Sequence, residues 1–315
     1  MQKKIIALAV AGLMSGAAFA QTNVTVSGLL DVGAFNAKGT FTGTGFSASN
    51  NAGYNGAGTS NITFRAQEDL GGGMNAGVLV ESDIRGGATA LLGSFQKYVW
   101  VGGSFGQVSL GQRTNFSTTT ATTAQPFGTA MGGGYSTAFG RLRGFGYGAT
   151  GVLTADGSTA TLSGNRDVRA DGSIRYDTPN FQGFTAGLSY KPKNAGATET
   201  TASTGHMNLG LNYGVGPMKV SYAYVKISNT NLGAAAFGRF NATTGAPEVV
   251  AAVAAYDGNT KHNLLGANYN FGPATVYAGY TTSKADTTTA AGNEFDSRSW
   301  NLGLKYAVTG NVDVL

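Results

Sequence analysis

The sequence predicts an all-β protein, a transmembrane antiparallel β-barrel, from three observations: alternating polarity, strand length and the pattern of connections. Alternation is clear in residues 61–67, where the odd positions are polar and the even positions are apolar. Because successive side chains of a strand point to opposite faces, this segment has one polar and one apolar face. Residues 169–177, 219–225 and 299–306 alternate in the same way.

The predicted strands are longer than those of soluble proteins. A tilted membrane strand needs about 9 to 11 residues, whereas strands of soluble proteins average about 5 or 6. The candidate strands cover residues 24–35, 60–70, 74–85, 95–103, 106–113, 168–178, 183–191, 205–214, 217–227, 260–271, 274–285 and 297–307, and a thirteenth begins at Asn311.

The connections between these strands alternate between short and long, which distinguishes a membrane barrel from a soluble β-sandwich. The short turns lie at 71–73, 104–105, 180–182, 215–216, 272–273 and 309–310, and the long polar segments at 36–59, 86–94, 114–167, 192–204, 228–259 and 286–296. Short turns at one rim and long loops at the other are typical of outer-membrane barrels. Several structureless loops of this length would be anomalous in a soluble domain.

The N-terminus has the layout of a cleaved secretory signal. Lys3 and Lys4 precede the apolar stretch 5–14, and Ala18-Phe19-Ala20 forms an A-x-A cleavage site. We therefore expect a signal peptide over residues 1–20, a mature chain from residue 21 and export to the outer membrane. Later apolar runs are too short for a membrane-spanning helix, which needs about 20 residues.

Composition excludes several classes of function. The chain has 50 glycines in 315 residues, only 12% charged residues and no cysteine, so thiol catalysis and thiolate metal sites are excluded. Basic residues are dispersed, and no helical reading element suggests nucleic-acid binding. The only histidines, His206 and His262, begin two separate strands and are expected at a wet rim. No convergent nucleophile and base are visible, so the sequence predicts no enzymatic activity, no cofactor and no metal site.

Several segments of the chain resemble the general porins of Gram-negative bacteria, in particular the β-proteobacterial type. The segments that carry the resemblance read VTVSGLLDVG at 24–33, EDLGGGMNA at 68–76, GSFGQVSLG at 103–111, SIRYDTPNF at 173–181 and GF at 183–184. The resemblance implies a homotrimer of 16-stranded barrels. It also implies that the third long loop, 114–167, folds inward as a constriction. Family members end on an aromatic residue in a closing strand, whereas this sequence stops at Leu315, so we expect about 12–13 strands in it.

The loop segment departs from the family pattern at two places. Pro126-Phe127-Gly128 resembles the constriction-loop motif, but Gln125 stands where an Asp usually precedes the proline. The family commonly has Leu-Gly-Arg-Gln at the loop start, and this chain reads Leu110-Gly111-Gln112-Arg113. The first departure argues against an acidic constriction.

Charge at the narrowest point sets the selectivity of such a channel, so the candidate constriction residues include most of the arginines nearby. They are Arg65, Glu81, Asp83, Arg113, Pro126, Phe127, Gly128, Arg141, Arg143, Arg166, Arg169 and Arg175. By strand alternation, Arg65, Arg169 and Arg175 face the lumen, and Arg113 lies at the root of the loop. Alternation also places four acids on lumen faces, at Glu81, Asp83, Asp171 and Asp177.

Arginine remains charged and offers several donors to anionic oxygens, so the sequence favours a weak anion preference. The alternative that these arginines pair with the lumen acids stays open. The predicted function is passive diffusion of small hydrophilic solutes and ions through a water-filled pore that contacts only membrane lipid and copies of itself. A substrate-specific channel, an outer-membrane enzyme built on a barrel and a surface β adhesin are the alternatives.

Overall fold

The computed structural model describes residues 23–30, 32–37, 49–54, 60–84, 95–126, 169–193, 203–231, 237–240, 247–250, 256–287, 295–309 and 312–314. The elements are β1 (Asn23–Leu29), β2 (Val32–Ala37), β3 (Ser49–Tyr54), β4 (Asn61–Gly71), β5 (Met74–Asp83), β6 (Lys97–Gly103), β7 (Gly106–Thr114), α1 (Phe116–Thr123), β8 (Arg169–Asp177), β9 (Phe184–Lys191), β10 (Ser203–Val215), β11 (Met218–Asn231), β12 (Phe237–Phe240), β13 (Pro247–Val250), β14 (Tyr256–Asn270), β15 (Ala274–Thr287), β16 (Phe295–Thr309) and β17 (Val312–Val314).

Thirteen of these strands form one antiparallel sheet in the order β1-β4-β5-β6-β7-β8-β9-β10-β11-β14-β15-β16-β17. Apart from the two short hairpins that are skipped, each strand pairs with the next one along the chain. In the described part of the chain, β1 and β17 are the edge strands of this sheet. The all-β class and the antiparallel sheet predicted from the sequence are confirmed.

Two details of the strand prediction are wrong. The strand predicted over 24–35 ends at Leu29. Leu29 pairs with Asn61, which is the first residue of β4, so β4 offers no partner for the residues after Leu29. The chain then forms a separate hairpin of β2 and β3. A second separate hairpin, β12 with β13, lies in the segment that the sequence suggested was structureless.

The sheet has an apolar face and a face that carries α1, which we call the outer and inner faces. On β16, the outer side chains Trp300 and Leu302 are 74% and 71% exposed, while their inner neighbours are partly covered. On β6, Val99 is exposed on the outer face and Trp100 is buried on the inner face. Exposed apolar side chains on successive strands form a band suited to contact with lipid.

The short connections all lie at one end of the sheet and are built from glycines and side-chain caps. Gly71, Gly72 and Gly73 have φ values of 77°, 61° and 78°, a left-handed run that residues with a Cβ rarely adopt. The carboxylate of Asp69 accepts a hydrogen bond from the Gly71 amide at 2.8 Å. The Asn270 side chain accepts one from the Gly272 amide in the same way, at 2.7 Å.

The helix α1 was not predicted, because its sequence favours extended structure. Residues 116–123 read FSTTTATT, and threonine is branched at Cβ and a poor helix former. An isolated helix of eight residues is unstable in water, so α1 depends on its contacts with the sheet. No helix among the described residues is long and apolar enough to cross a membrane.

Candidate functional site

The helix α1 lies directly against the inner face of the sheet, and glycines make this approach possible. A Cβ added at Gly187 of β9 or Gly210 of β10 would overlap the ring of Phe116, the first residue of the helix. At Gly266 of β14 it would overlap the carbonyl oxygen of Thr120. The inner surface therefore carries a glycine track that fits the helix.

The track continues beneath the residues that follow α1. A Cβ at Gly279 of β15 would lie 2.8 Å from the Cβ of Ala124, and one at Gly303 of β16 would lie 2.7 Å from Cδ of Pro126. Residues 116–126 thus run across the inner face from β9 to β16. We call this half of the sheet the helix-covered wall.

Amide side chains hold the segment to this wall. The Phe116 amide donates to Oδ1 of Asn208 at 3.0 Å. At the other end of the segment, Nδ2 of Asn268 donates to the Thr123 carbonyl at 2.9 Å, and Nδ2 of Asn301 donates to the Ala124 carbonyl at 2.7 Å. These bonds satisfy carbonyls at the C-terminal end of the helix, which have no partner within it.

A small apolar cluster fills the contact between helix and wall. Its members are all buried: Phe116, Ala121, Ala124, Ala223, Val225, Ile227 and Leu264. The inner face is therefore not uniformly polar, because the part beneath α1 is sealed from water. Dispersion and apolar burial stabilise the docked helix in addition to its hydrogen bonds.

The other half of the inner face, β4 to β8, carries charge, and we call it the arginine wall. Asp177 accepts from two arginines: Arg175 Nη2 to Oδ1 at 2.6 Å and Arg113 Nη1 to Oδ2 at 2.6 Å. Arg175 also donates to the Thr114 carbonyl at 2.7 Å and stacks on the ring of Phe116, 3.8 Å from its centroid. Arg175 thus connects the arginine wall to the root of the docked segment.

Each remaining arginine of this wall also stacks on an aromatic ring. The guanidinium carbon of Arg65 lies 4.7 Å from the Trp100 ring centroid, that of Arg113 lies 4.7 Å from Tyr98, and that of Arg169 lies 4.6 Å from Phe95. A ring face attracts a cation while leaving the edge of the guanidinium available to other partners. Stacking therefore orients these arginines without neutralising their charge.

Arg65 is the most accessible of these cations. Its side chain is exposed on the inner face, and its Nη2 donates to Oε1 of Gln67 at 2.9 Å, a neutral partner. No ion pair to Arg65 is found among the side chains that the structure describes. It lines an open polar cleft with Asn23, Thr25, Gln67 and Asp69.

Glu81, predicted as an opposing acid, is only 8% exposed. Its Oε2 accepts from the backbone amide of Gln96 at 3.3 Å and from Nε2 of the same residue at 3.2 Å. Oε1 of Gln96 accepts in turn from the Thr114 amide at 3.0 Å. The carboxylate of Glu81 therefore helps to fix the loop root and is not presented to water.

The structure brings together Arg65, Arg113, Arg169, Arg175 and Glu81 on one wall. Pro126 lies apart from them, against β16. Of Asp83 only the backbone is described, and Phe127, Gly128, Arg141, Arg143 and Arg166 lie outside the described residues. The signal peptide 1–20 and residues 127–167 of the predicted constriction loop lie outside them too.

Strict alternation does not hold throughout 169–177. The register between β7 and β8 shifts between Gly111 and Arg113, and Gly172 has a left-handed φ of 59°. Counting alternate residues back from Asp177 therefore does not give the sheet face of the residues before Ser173. Alternation does hold from Ser173 to Asp177, where Arg175 and Asp177 share the inner face.

The sequence did not predict the glycine track, the packing of Phe116 on that track or the pairing of Asp177 with two arginines. A signal for the track was present, since Gly187, Gly210, Gly266, Gly279 and Gly303 all lie within predicted strands. The expectation that the two histidines lie at a wet rim is wrong.

His206 and His262 are 3% and 0% exposed. Nε2 of His206 lies 3.3 Å from Nδ2 of Asn115, the residue that precedes α1. Among the described residues, no group of three or more His, Asp and Glu side chains is placed to hold a metal ion.

Comparison with known proteins gives a consistent result. The profile of the Gram-negative porin family matches residues 7–315. Outer membrane porin protein 32 of Delftia acidovorans is 30% identical over 319 residues, which are 100% of this chain and 78% of that protein. An outer membrane porin of Bordetella pertussis is 27% identical over 256 residues, 73% of this chain and 61% of that one.

Two solved structures share the fold. An anion-selective porin from Comamonas acidovorans superposes with a TM-score of 0.67 at 24% identity, over 93% of this chain and 76% of that one. A loop-deletion variant of OmpT, an outer membrane protein of Vibrio cholerae, superposes with a TM-score of 0.57 at 16% identity, over 93% of this chain and 79% of that one.

Proposed function

The chain belongs to the Gram-negative porin family and is an outer membrane porin, and we propose that its pore conducts small anions in preference to cations. The observation that carries the proposal is the composition of the arginine wall. Arg65, Arg113, Arg169 and Arg175 lie there, and each is stacked on an aromatic ring.

Among the described side chains of this wall, the four arginines outnumber the acids Asp69, Glu81 and Asp177. Asp177 is shared by two arginines, and Glu81 is buried against Gln96. Arg65 is exposed, its hydrogen bond goes to the neutral Gln67, and Asp69 is the acid that lines the same cleft. An excess of fixed positive charge along a narrow aqueous path raises the local concentration of anions and lowers that of cations. A solved relative is described as anion-selective, which supports the same preference here.

In this proposal, the docked segment 116–126 provides the narrowing that makes this charge effective. It lies on the inner face from β9 to β16, so it occupies part of the lumen in front of the helix-covered wall. We propose that 114–167 forms the constriction loop and that residues 1–20 are a cleaved signal. We also propose that the protein assembles as a homotrimer, as the family resemblance implies, and has no catalytic activity. Chemical cross-linking of the refolded protein tests the assembly.

The zero-current potential of the refolded full chain in a planar bilayer under a KCl gradient tests the selectivity. The proposal predicts stable conductance steps and a potential of the anion-selective sign. The potential should increase as the mean salt concentration falls, because screening of fixed charges weakens. A cation-selective sign would contradict the proposed preference, and folded protein that gives no conductance would contradict pore formation.

A further inference from the structure

Trp100 lies flat on the inner face of the sheet, beneath the guanidinium group of Arg65. Its side chain is only 3% exposed, although it belongs to the face that lines the pore. Gly77 of β5 makes room for the ring, since a Cβ at that position would overlap the indole Cζ2 atom. Gly77 pairs with Trp100 on one side and with Gln67 of β4 on the other, so the indole reaches from β6 toward β4.

The indole of Trp100 is held in this niche by further contacts. Its Nε1 donates to Oδ1 of Asn75 at 3.0 Å. Asn75 lies two residues before Gly77 on β5, so the hydrogen bond and the glycine niche hold different parts of the same ring. The Tyr98 ring packs beside the indole, with 5.7 Å between the centroids. Side chains that are locked by packing and hydrogen bonds can in turn fix the position of a functional group that rests on them.

Arg65 rests on the indole with its guanidinium group directed toward Gln67. Its guanidinium carbon lies 4.7 Å from the centroid of the Trp100 ring, and its Nη2 donates to Oε1 of Gln67 at 2.9 Å. The face of an aromatic ring attracts a cation, and indole attracts it most strongly among the aromatic side chains. Neither of these partners carries a negative charge, so both hold the guanidinium without neutralising it.

Asp69 is the carboxylate that could compete for Arg65. Arg65, Gln67 and Asp69 alternate along β4 and line the same cleft. Successive residues on one face of a strand are about 7 Å apart, so a guanidinium that reaches Gln67 is one step away from Asp69. The structure describes both charged side chains and shows no ion pair between them. Asp69 instead accepts a hydrogen bond from the amide of Gly71 in its own turn, at 2.8 Å.

We propose that Trp100 keeps Arg65 available to anions by holding its guanidinium away from Asp69. The inference rests on the proposed anion preference and assigns a part in selectivity to an uncharged side chain. With the indole in place, the cation lies between a ring and a neutral amide. Without the indole, attraction between opposite charges draws Arg65 along the strand to Asp69, and the ion pair cancels the field of this arginine in the lumen. Trp100 is therefore a positioning residue, which acts through Arg65.

The test is the zero-current potential of refolded full-length variants in a planar bilayer under one KCl gradient. Trp100→Leu should move the potential in the same direction as Arg65→Gln and by most of the same amount. Trp100→Phe, which keeps a ring beneath the guanidinium, should stay near the wild-type value. Trp300→Leu is the matched control and should leave the potential unchanged, because Trp300 is exposed on the outer face.

Two double variants distinguish capture by Asp69 from a general disturbance of the pore. W100L/D69N lacks the capturing carboxylate, so its potential should return to that of D69N alone. W100L/R65Q should match R65Q, since the indole then has no guanidinium to position. A purely structural role of Trp100 would leave an additional shift in both double variants and would overturn the inference.

Heat-modifiable migration on a gel establishes that each variant is folded. If W100L does not fold, Gly77→Ala gives the result, because the added methyl group displaces the indole from its niche and should cause the same shift. A wild-type potential in W100L, beside a clear shift in R65Q, would also overturn the inference. The sign of the wild-type potential tests the proposed function separately. A cation-selective sign would contradict the anion preference, whereas the comparison of W100L with R65Q decides the role of Trp100 for either sign.

Discussion

The arginine wall and the helix-covered wall are two halves of one inner face, yet their side chains have different tasks. On the helix-covered wall, glycines, amides and a few apolar residues fit a segment of the chain. On the arginine wall, cations are held by ring stacking, and Arg65 stays accessible to water. This contrast supports our proposal that one half fixes the width of the pore and the other half fixes its charge.

Arg175 connects the two halves, so its loss should have the largest effect. Arg175→Ala leaves Asp177 with one partner, frees the Thr114 carbonyl and uncovers the Phe116 ring. Breaking a largely buried charge pair costs about 3 kcal/mol, and we expect a loss of that order in the free energy of unfolding. Urea unfolding followed by tryptophan fluorescence measures it. Arg175→Lys keeps the positive charge but not the several guanidinium donors, so it should lose less stability than Arg175→Ala. An unchanged urea midpoint of unfolding for Arg175→Ala would contradict the role of Arg175 in connecting the two walls.

The glycine track can be tested on a single strand. Gly210→Ala introduces a methyl group into the space of the Phe116 ring, whereas a Cβ at Gly214 of the same strand meets nothing closer than 3.9 Å. Overpacking of this kind costs about 1–3 kcal/mol. We expect Gly210→Ala to lower stability by that amount and to alter single-channel conductance through displacement of α1. Equal behaviour of Gly210→Ala and Gly214→Ala would show that the helix does not need the track.

Asp177→Asn tests whether the negative charge of Asp177 serves to neutralise Arg113 and Arg175. The amide has one acceptor oxygen where the carboxylate has two, so only one of Arg113 and Arg175 keeps its hydrogen bond, and the loss of stability should be about 2 kcal/mol. Removal of the negative charge should make the zero-current potential more strongly anion-selective, because two arginines then act on the lumen without a counterion. A shift toward cation selectivity would mean that Asp177 does not oppose the arginines.

The two walls also differ in how far the sequence predicts them. The strands were predictable because residues such as Phe64 and Arg65 alternate with a period of two, and a barrel wall needs that period. Placement of Arg65 and Arg175 on one face followed from the same rule. The pairing of both Arg113 and Arg175 with Asp177 did not, since it depends on the register between β7 and β8 and on a bulge between them.

The sequence predicted little of the helix-covered wall. A threonine-rich segment predicts no helix, because local propensity opposes it and only docking stabilises it. Glycines in strands suggest weak or bent strands as readily as a close approach of backbone, so Gly210 and Gly266 did not by themselves predict a docked helix. His206, which contacts Asn115 just before α1, is likewise buried beside the docked segment.

The central claim is that anion preference arises from the arginine wall, and one matched pair of variants tests it most directly. Arg65→Gln and Lys219→Gln each remove one cation from the inner face, the first from the arginine wall and the second from the short-turn end of β11. The measurement is the zero-current potential of each in a planar bilayer under the same KCl gradient. We predict that Arg65→Gln moves the potential clearly toward zero and that Lys219→Gln leaves it near the wild-type value. Equal shifts, or a shift in Lys219→Gln alone, would contradict the assignment of selectivity to the arginine wall.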